Sequence, residues 1–395
     1  MPRRLVRAAG GRLVVVAAGK AAGAMMRVAL DRIDGSFTGV ASIPAGHEPP
    51  GPPFPRGVDL VVAGHPTPDA GSLHAAEAAL ALARTLGPGD ELLALISGGG
   101  SALLAAPASG LSLADKVATT TALLRSGAAI SEINLVRRRL SRIKGGGLAA
   151  AAGAAKVTTL IISDIPGDDL SLVASGPTIA PEGAPQTALE IVDRYGLTVP
   201  PNVRRILAAP PHRPADRSGA PMKVRRLAGA REALDAAAAL ARAEGLEVLD
   251  LGDDLQGEAR ALGRRHAALA AERARGPRSR GALILSGGET TVSVRNPRGR
   301  GGRNLEYLLG LAIALGGLAG VYALACDTDG IDGAAPAAGA VIGPDTLARA
   351  EALGLDPRGR LDANDAFPLF EALGDLVVTG PTRTNVNDFR AILIL

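Results

Sequence analysis

Very little in this 395-residue chain can stack or cross-link: it has no tryptophan, three tyrosines, five phenylalanines and one cysteine. Aromatics at 2% leave few platforms for bases, and a net charge of +4 comes from scattered arginines, not from a stripe. Nucleic-acid binding is therefore not expected. A single cysteine, Cys326, excludes an internal disulfide and a cysteine-cluster metal site, and fits a reducing compartment. Membrane signals are also missing. The apolar run Leu13–Ala18 is too short for a signal-peptide core, and Lys20 interrupts it. The uncharged stretch Leu308–Cys326 is long enough to cross a bilayer, but Gly316, Gly317 and Gly320 divide it. It reads as a buried helix, a turn and a strand. A soluble, cytoplasmic protein with no membrane partner is expected. The motif inventory has gaps of its own: no G-x-x-x-x-G-K-[ST], no G-x-G-x-x-G after a strand, no protein-kinase signature set. Ser101 lacks the downstream glycine of a nucleophile elbow. Lysine is scarce too, at five of the 43 basic residues, so each lysine kept in so arginine-rich a chain is worth locating.

What is present is ordinary globular composition, 47% hydrophobic and 21% charged, on a length that suits two domains. Apolar strands alternate with helical stretches in both halves, which predicts an α/β fold. The first half should be a doubly wound, mainly parallel Rossmann-like sheet, and the second a smaller α/β domain. The proline-rich, aperiodic stretch Ala208–Pro221 divides them, giving domains 1–215 and 222–395.

The stretch Leu92–Leu104, LLALISGGGSALL, is the strongest local signal. Five apolar residues read as a buried parallel strand. Gly98, Gly99 and Gly100 then let successive N–H groups turn into one concavity that favours an anion, with Ser97 and Ser101 adding hydroxyls. Ser286-Gly287-Gly288-Glu289 repeats the arrangement after a second apolar run and predicts a second phosphate-binding loop. In open α/β sheets ligands lie beyond the carboxyl ends of strands, so the residues that follow each strand matter most. These include Lys20, the pair His65 and Asp69, Asp164, Asp168 and Asp169, Asp327, Asp329 and Asp332, and Thr384, Asn385 and Asn387. Acids beside glycine turns suit Mg²⁺ bridging phosphate oxygens, although aspartates after strands also cap turns. Arg303, flanked by glycines before a helix, suits a phosphoryl clamp.

Several long motifs carry a resemblance. GK at 19–20, AGHPTPD at 63–69, LISGGGSALL at 95–104, EINLVRRRLSRIKGGGLA at 132–149, ISDIPGDDLSLVASGPT at 162–178, LSGGETTV at 285–292, GRGGRN at 299–304, DTDGIDG at 327–333 and GDLVVTGPTRTNVND at 374–388 occur in order. Together they resemble the bacterial glycerate 2-kinases with a C-terminal MOFRL domain, a family often labelled hydroxypyruvate reductase. The resemblance implies two α/β domains around an interdomain cleft, with ATP and Mg²⁺ as cofactors and D-glycerate phosphorylated on its 2-hydroxyl. It leaves a homodimer open. On this reading Lys20, Arg303, Asp164 and Asp327 are catalytic. Ser97–Ser101, Ser286, Gly287, Gly288, Glu289, Asn304, Thr384, Asn385 and Asn387 bind phosphate or substrate, and Asp164, Asp327, Asp168 and Asp169 are the metal candidates. Two alternatives stand beside it: an NAD(P)H-dependent hydroxypyruvate reductase, which the missing dinucleotide fingerprint disfavours, and a non-catalytic sugar-acid or nucleotide binder. Three features depart from the family pattern. The chain starts almost at its first strand, Leu305 replaces a usual glutamine, and Arg383 stands where glycine is common.

Overall fold

The structure is a computed structural model that describes residues 10–165, 167, 169–180, 187–209, 220–276 and 281–395. It divides into two compact units, the first ending at Leu227 and the second running from Ala228 to Leu395. Six strands form the first sheet: β1 (Leu13–Ala18), β2 (Thr38–Ile43), β3 (Val58–Val62), β4 (Glu91–Ile96), β5 (Lys156–Ile162) and β6 (Met222–Ala228). Their order is β3-β2-β1-β4-β5-β6, and the four pairings among β1 to β5 are parallel.

The unbroken apolar runs of β1 and β4 have a physical reason. Alternate residues face opposite sides, and both sides are covered. Val14, Val16, Leu92, Ala94 and Ile96 pack with the helix Ala70–Arg84. Leu13, Val15, Ala17, Leu93 and Leu95 pack with the helix Ala22–Arg32. A separate helical layer joins Leu123, Ile133, Val136, Leu140, Ile191 and Val203. The boundary expectation needs one correction. β6 is the last strand of the first sheet, so the second unit starts at Ala228 and not at 222. The proline-rich segment itself lies mostly outside the described residues.

The second unit holds β7 (Glu247–Asp250), β8 (Leu255–Glu258), β9 (Ala282–Thr291), β10 (Val321–Asp327), β11 (Gly339–Ile342), β12 (Leu376–Val377) and β13 (Asp388–Ile394). The sheet is mixed, in the order β12-β11-β10-β13-β9-β7, with β8 also on β9. β13 runs antiparallel between β9 and β10. The uncharged 308–326 stretch is the end of the helix Arg303–Leu315, a glycine turn and most of β10. Among the described residues no helix is long and apolar enough to cross a membrane.

Strand order in the first sheet reverses between β1 and β4, and there the two strand ends touch. Gly19 has φ +127°, and a Cβ on it would overlap the side chain and carbonyl of Ser97. Gly19→Ala should therefore lower stability by about 2–4 kcal/mol, from strain plus overpacking. A fall in the urea midpoint with an unchanged slope would show it, whereas an unmoved midpoint would mean that the strand ends tolerate a side chain.

Candidate active site

In the first unit, the loop after β4 is built against the loop after β1. Ser97 N–H donates to Ala18 O at 3.0 Å and Lys20 N–H to Gly98 O at 2.9 Å. The Ser97 hydroxyl is buried and accepts the Ala21 N–H at 3.0 Å, so it shapes the loop. Gly100 N–H closes the turn on Ser97 O at 3.3 Å. The N–H groups of Gly98 and Gly99 donate to no acceptor among the described residues. That leaves the two donors expected of an anion nest. Lys20 and His65 flank the loop: a Cβ on Gly99 would lie 3.5 Å from Lys20 Cγ and 3.0 Å from His65 Nε2. The Lys20 carbonyl meets His47 Nδ1 at 3.1 Å.

Ser101 sits in a polar knot that sequence reading missed. Its hydroxyl lies 2.9 Å from Lys144 Nζ and 2.9 Å from Ser175 Oγ, and it also accepts from the Arg137 guanidinium. Arg137, Lys144 and Ser175 all fall inside quoted motifs, yet nothing in the sequence brings these three distant segments together. At the end of β5, Asp164 is half-buried, whereas Asp169 is exposed and accepts the Ser171 N–H at 2.9 Å as a turn cap. Asp168 lies outside the described residues.

The second unit gathers charge around one arginine. Arg303 opens its helix and donates to Glu289 at 2.6 Å, Asp327 at 2.8 Å and Asp388 at 3.2 Å. Asn304 Nδ2 donates to Asp388 Oδ1 at 2.9 Å and Asp332 Oδ1 at 3.3 Å. Those two bonds set the amide's orientation, and its Oδ1 is buried without a partner among the described residues. Asp332 caps the helix from a distance, accepting the N–H groups of Asn304 at 3.0 Å and Leu305 at 2.9 Å. Gly302 precedes that helix because a Cβ there would overlap the Asp332 carboxyl and carbonyl. Asp388 Oδ2 takes Arg390 at 2.6 Å. Asp388 and Arg390 were not anticipated from sequence; the quoted motif ends at the first, and the second reads as one more arginine in a strand.

Two expectations change here. Ser286 to Glu289 are not a turn: they lie inside β9, with Gly288 paired to Asp388 of β13 and to Leu255 of β8. Strands on both sides of β9 hold this stretch within the sheet, with Gly288 at φ +112°, so a second phosphate loop is absent from the described residues. Glu289 still points to the site through Arg303. Asn385 and Asn387 are buried in loop construction: Asn385 Oδ1 accepts the Asn387 N–H at 3.1 Å, and the Asn387 carbonyl accepts from Thr328 Oγ1 at 2.7 Å. Thr384, half-buried, precedes them. Arg383 adopts φ +62°, the left-handed conformation that favours glycine. Leu305 is fully buried among apolar side chains, so leucine packs where a glutamine would need partners.

Charge balance sets the site's electrostatics. Four buried acids, Asp327, Asp329, Asp332 and Asp388, share the region with two guanidiniums, Arg303 and Arg390. Burial pushes the Asp327 carboxyl well above the usual carboxylate range; Asp329 adds to this and Arg303 opposes it. Burial also raises Asp332, to about 6, against the pull of the two N–H groups it caps. For Arg303 burial works against the charge, but Asp388, Glu289, Asp327 and Asp332 outweigh it and hold the guanidinium firmly protonated. Among the described residues no group of three or more His, Cys, Asp or Glu is arranged as a ready metal cage. The excess of acid and the unpartnered Asn304 Oδ1 nevertheless suit a hard cation, which takes one or two carboxylates plus ligand oxygens.

Comparison with known proteins bears on both units. The model of a domain of unknown function, DUF4147, matches residues 3–208, and that of the MOFRL family matches residues 282–388. The chain is 37% identical over 390 residues to the D-glycerate 2-kinase of Thermotoga maritima, covering 97% of this chain and 91% of that protein. It is 51% identical over 394 residues to an Agrobacterium vitis protein that bears a provisional name, hydroxypyruvate reductase, covering 97% of this chain and all of the other. A crystal structure of glycerate kinase from Thermotoga maritima superposes with a TM-score of 0.85 at 36% identity, over 98% of this chain and 92% of that one.

Asp332 yields a test with a definite sign. Its carboxyl binds a proton more tightly folded than unfolded, so the stability it adds is complete below about pH 4 and lost as pH rises through about 6. Asp332→Ala should cost about 1–3 kcal/mol at pH 4 through loss of two cap bonds. The gap to wild type should narrow by pH 7. Denaturant titrations at both pH values check it, and a gap that widens with pH would mean that Asp332 acts as a charged cap.

Proposed function

The chain belongs to the MOFRL-type glycerate 2-kinase family, and we propose that it is a cytoplasmic enzyme transferring the γ-phosphoryl group of ATP to the 2-hydroxyl of D-glycerate with Mg²⁺. The observation that carries this reading is Arg303, a guanidinium fixed by three carboxylates at a helix start, within a chain matched over 97% of its length by a D-glycerate 2-kinase. Phosphoryl transfer demands little covalent chemistry from the protein; positioning and charge stabilisation do the work.

The residues divide the labour as follows. Gly98 and Gly99 offer N–H groups to one anion, and Lys20 beside them neutralises charge on the reacting groups. Arg303 clamps the phosphoryl group being transferred, a role for a rigid planar fork. Mg²⁺, when bound, supplies charge neutralisation on phosphate oxygens. Asp327 and Asn304 Oδ1 fit it in the second unit, and Asp164 fits it in the first. Whichever of Asp164 and Asp327 is not a ligand orients the 2-hydroxyl or takes its proton. The reductase name on a relative finds little support in the loop after β1: Gly19-Lys20-Ala21-Ala22-Gly23 is not the dinucleotide fingerprint.

A coupled assay with ATP, Mg²⁺ and D-glycerate, run beside NADH oxidation with hydroxypyruvate, tests the proposal directly. Turnover only in the first is the expected outcome; turnover only in the second overturns it. Lys20→Ala and Arg303→Met should each lower kcat/KM by about two to three powers of ten, with Arg303→Lys recovering part. A change under threefold in a folded variant would make the residue structural. Of Asp164→Asn and Asp327→Asn, the one that loses a metal ligand should regain rate at high Mg²⁺ and the other should not. Near-wild-type rates in both would remove the acids from the mechanism.

A further inference from the structure

Three cations lie close together in the first unit with no acid in contact among the described residues. Lys116 and Lys144 are buried, Arg137 is half-buried, and none makes an ion pair among the described residues. Two of the five lysines that survive in this arginine-rich chain are here, and both have a structural task. Lys116 Nζ donates to the carbonyls of Arg137 and Leu140, each at 3.2 Å, capping the helix Ile130–Arg139. Lys144 Nζ donates to Ser101 O at 2.6 Å, Ser101 Oγ at 2.9 Å and Leu104 O at 3.4 Å, which uses all three of its protons.

Arg137 has no such account. Among the described residues its guanidinium reaches only neutral oxygens, Ser101 Oγ and, at 3.4 Å, Asn134 Oδ1. Neighbouring positive charge adds to the cost: Arg137 lowers the proton affinity of both lysines, on top of their burial. An unpaired charge drawn partly out of water carries a cost, and an anion is the partner that offsets it. The surroundings are prepared for one. The Ser101 oxygen accepts from two cations, so its own proton turns to Ser175, 2.9 Å away, and leaves the Ser175 proton to donate onward. Ala174 and Ser175 hold φ values of +52° and +61°, uncommon for residues with a Cβ. The turn at Gly145–Leu148 pins them: Gly145 N–H donates to Ser175 O at 3.0 Å, Gly146 N–H to Gly176 O at 2.8 Å and Leu148 N–H to Pro177 O at 2.9 Å. Backbone strain sustained this way concentrates at ligand sites. Ser101 itself stays half-exposed, two residues from the Gly99 N–H.

We infer that Arg137, with the Ser175 hydroxyl that Ser101 orients, binds the carboxylate of the 2-hydroxy acid substrate. Carboxylate and phosphate share this chemistry. The carboxylate is favoured because a nucleotide triphosphate brings a divalent cation, and among the described residues no carboxylate contacts this knot to help hold one. The assignment rests on the kinase reading for the identity of the acid, not for the presence of the site.

The full-length protein tests it by calorimetry with D-glycerate alone, with ATP alone, and by steady-state kinetics. Arg137→Met should weaken D-glycerate binding and raise its KM at least about thirtyfold, since one partner of a partly buried, hydrogen-bonded charge pair is lost. The KM for ATP should move less than threefold, and Arg137→Lys should recover part of the loss. Ser175→Ala, a smaller change, should raise the glycerate KM about threefold to tenfold at an unchanged melting temperature, and it decides the matter if Arg137→Met does not fold. A rise in the ATP KM alone, an equal rise in both, or no change in either overturns the assignment. If the wild type binds D-glycerate but transfers no phosphoryl group, the kinase reading falls while loss of binding in Arg137→Met still upholds the site.

Discussion

Asp388 is the group on which the second unit's site depends. It is fully buried, and each of its oxygens is committed: Oδ1 to Arg303 and Asn304, Oδ2 to Arg390 and the Thr290 N–H. A buried carboxylate survives only with such partners, and here it receives two guanidiniums from different elements. It thereby fixes the start of the helix Arg303–Leu315 against β13 and β9. Asp332 secures the same helix start through its first two N–H groups. Arg303 emerges from this lattice with little freedom, which is the property a phosphoryl clamp needs.

The first unit solves a different problem with backbone. Parallel strands covered on both faces leave only their ends for chemistry, and the order reversal between β1 and β4 opens a gap there. Gly19 allows the closest approach of the two strand ends, and the Ser97 side chain then locks one loop to the other. The result is a short turn whose N–H groups are held in place by contacts elsewhere, so orienting them costs nothing when a ligand arrives.

The two units also differ in the sign of their surplus. Acids outnumber bases around Arg303, and unpaired bases gather around Ser101. Neither surplus helps stability by itself, because buried like charges repel in a medium that screens them poorly. Such arrangements persist where a ligand of opposite charge is part of the working state. A metal-bearing phosphate suits the first surplus and a substrate carboxylate the second.

Periodicity and composition determined the fold class, the two-unit division and the buried strands β1, β4, β5 and β10, because unbroken apolar runs bounded by glycine have few alternatives. Chemistry at strand ends singled out Lys20, Ser101 and Asp327 as candidates, and glycines before a helix did the same for Arg303. What sequence could not supply depended on which strands become neighbours. Ser286 to Glu289 look like a glycine turn until β13 and β8 pair on either side and keep them in the sheet. β6 follows the apparent linker, yet hydrogen-bonds into the first sheet, since an open edge of β5 accepts it. Arg137, Lys144 and Ser175 are unremarkable in their own segments, and only packing brings them to one hydroxyl. Local preference is written along the chain, but a site made by side chains tens of residues apart is decided by the contacts that hold those segments together.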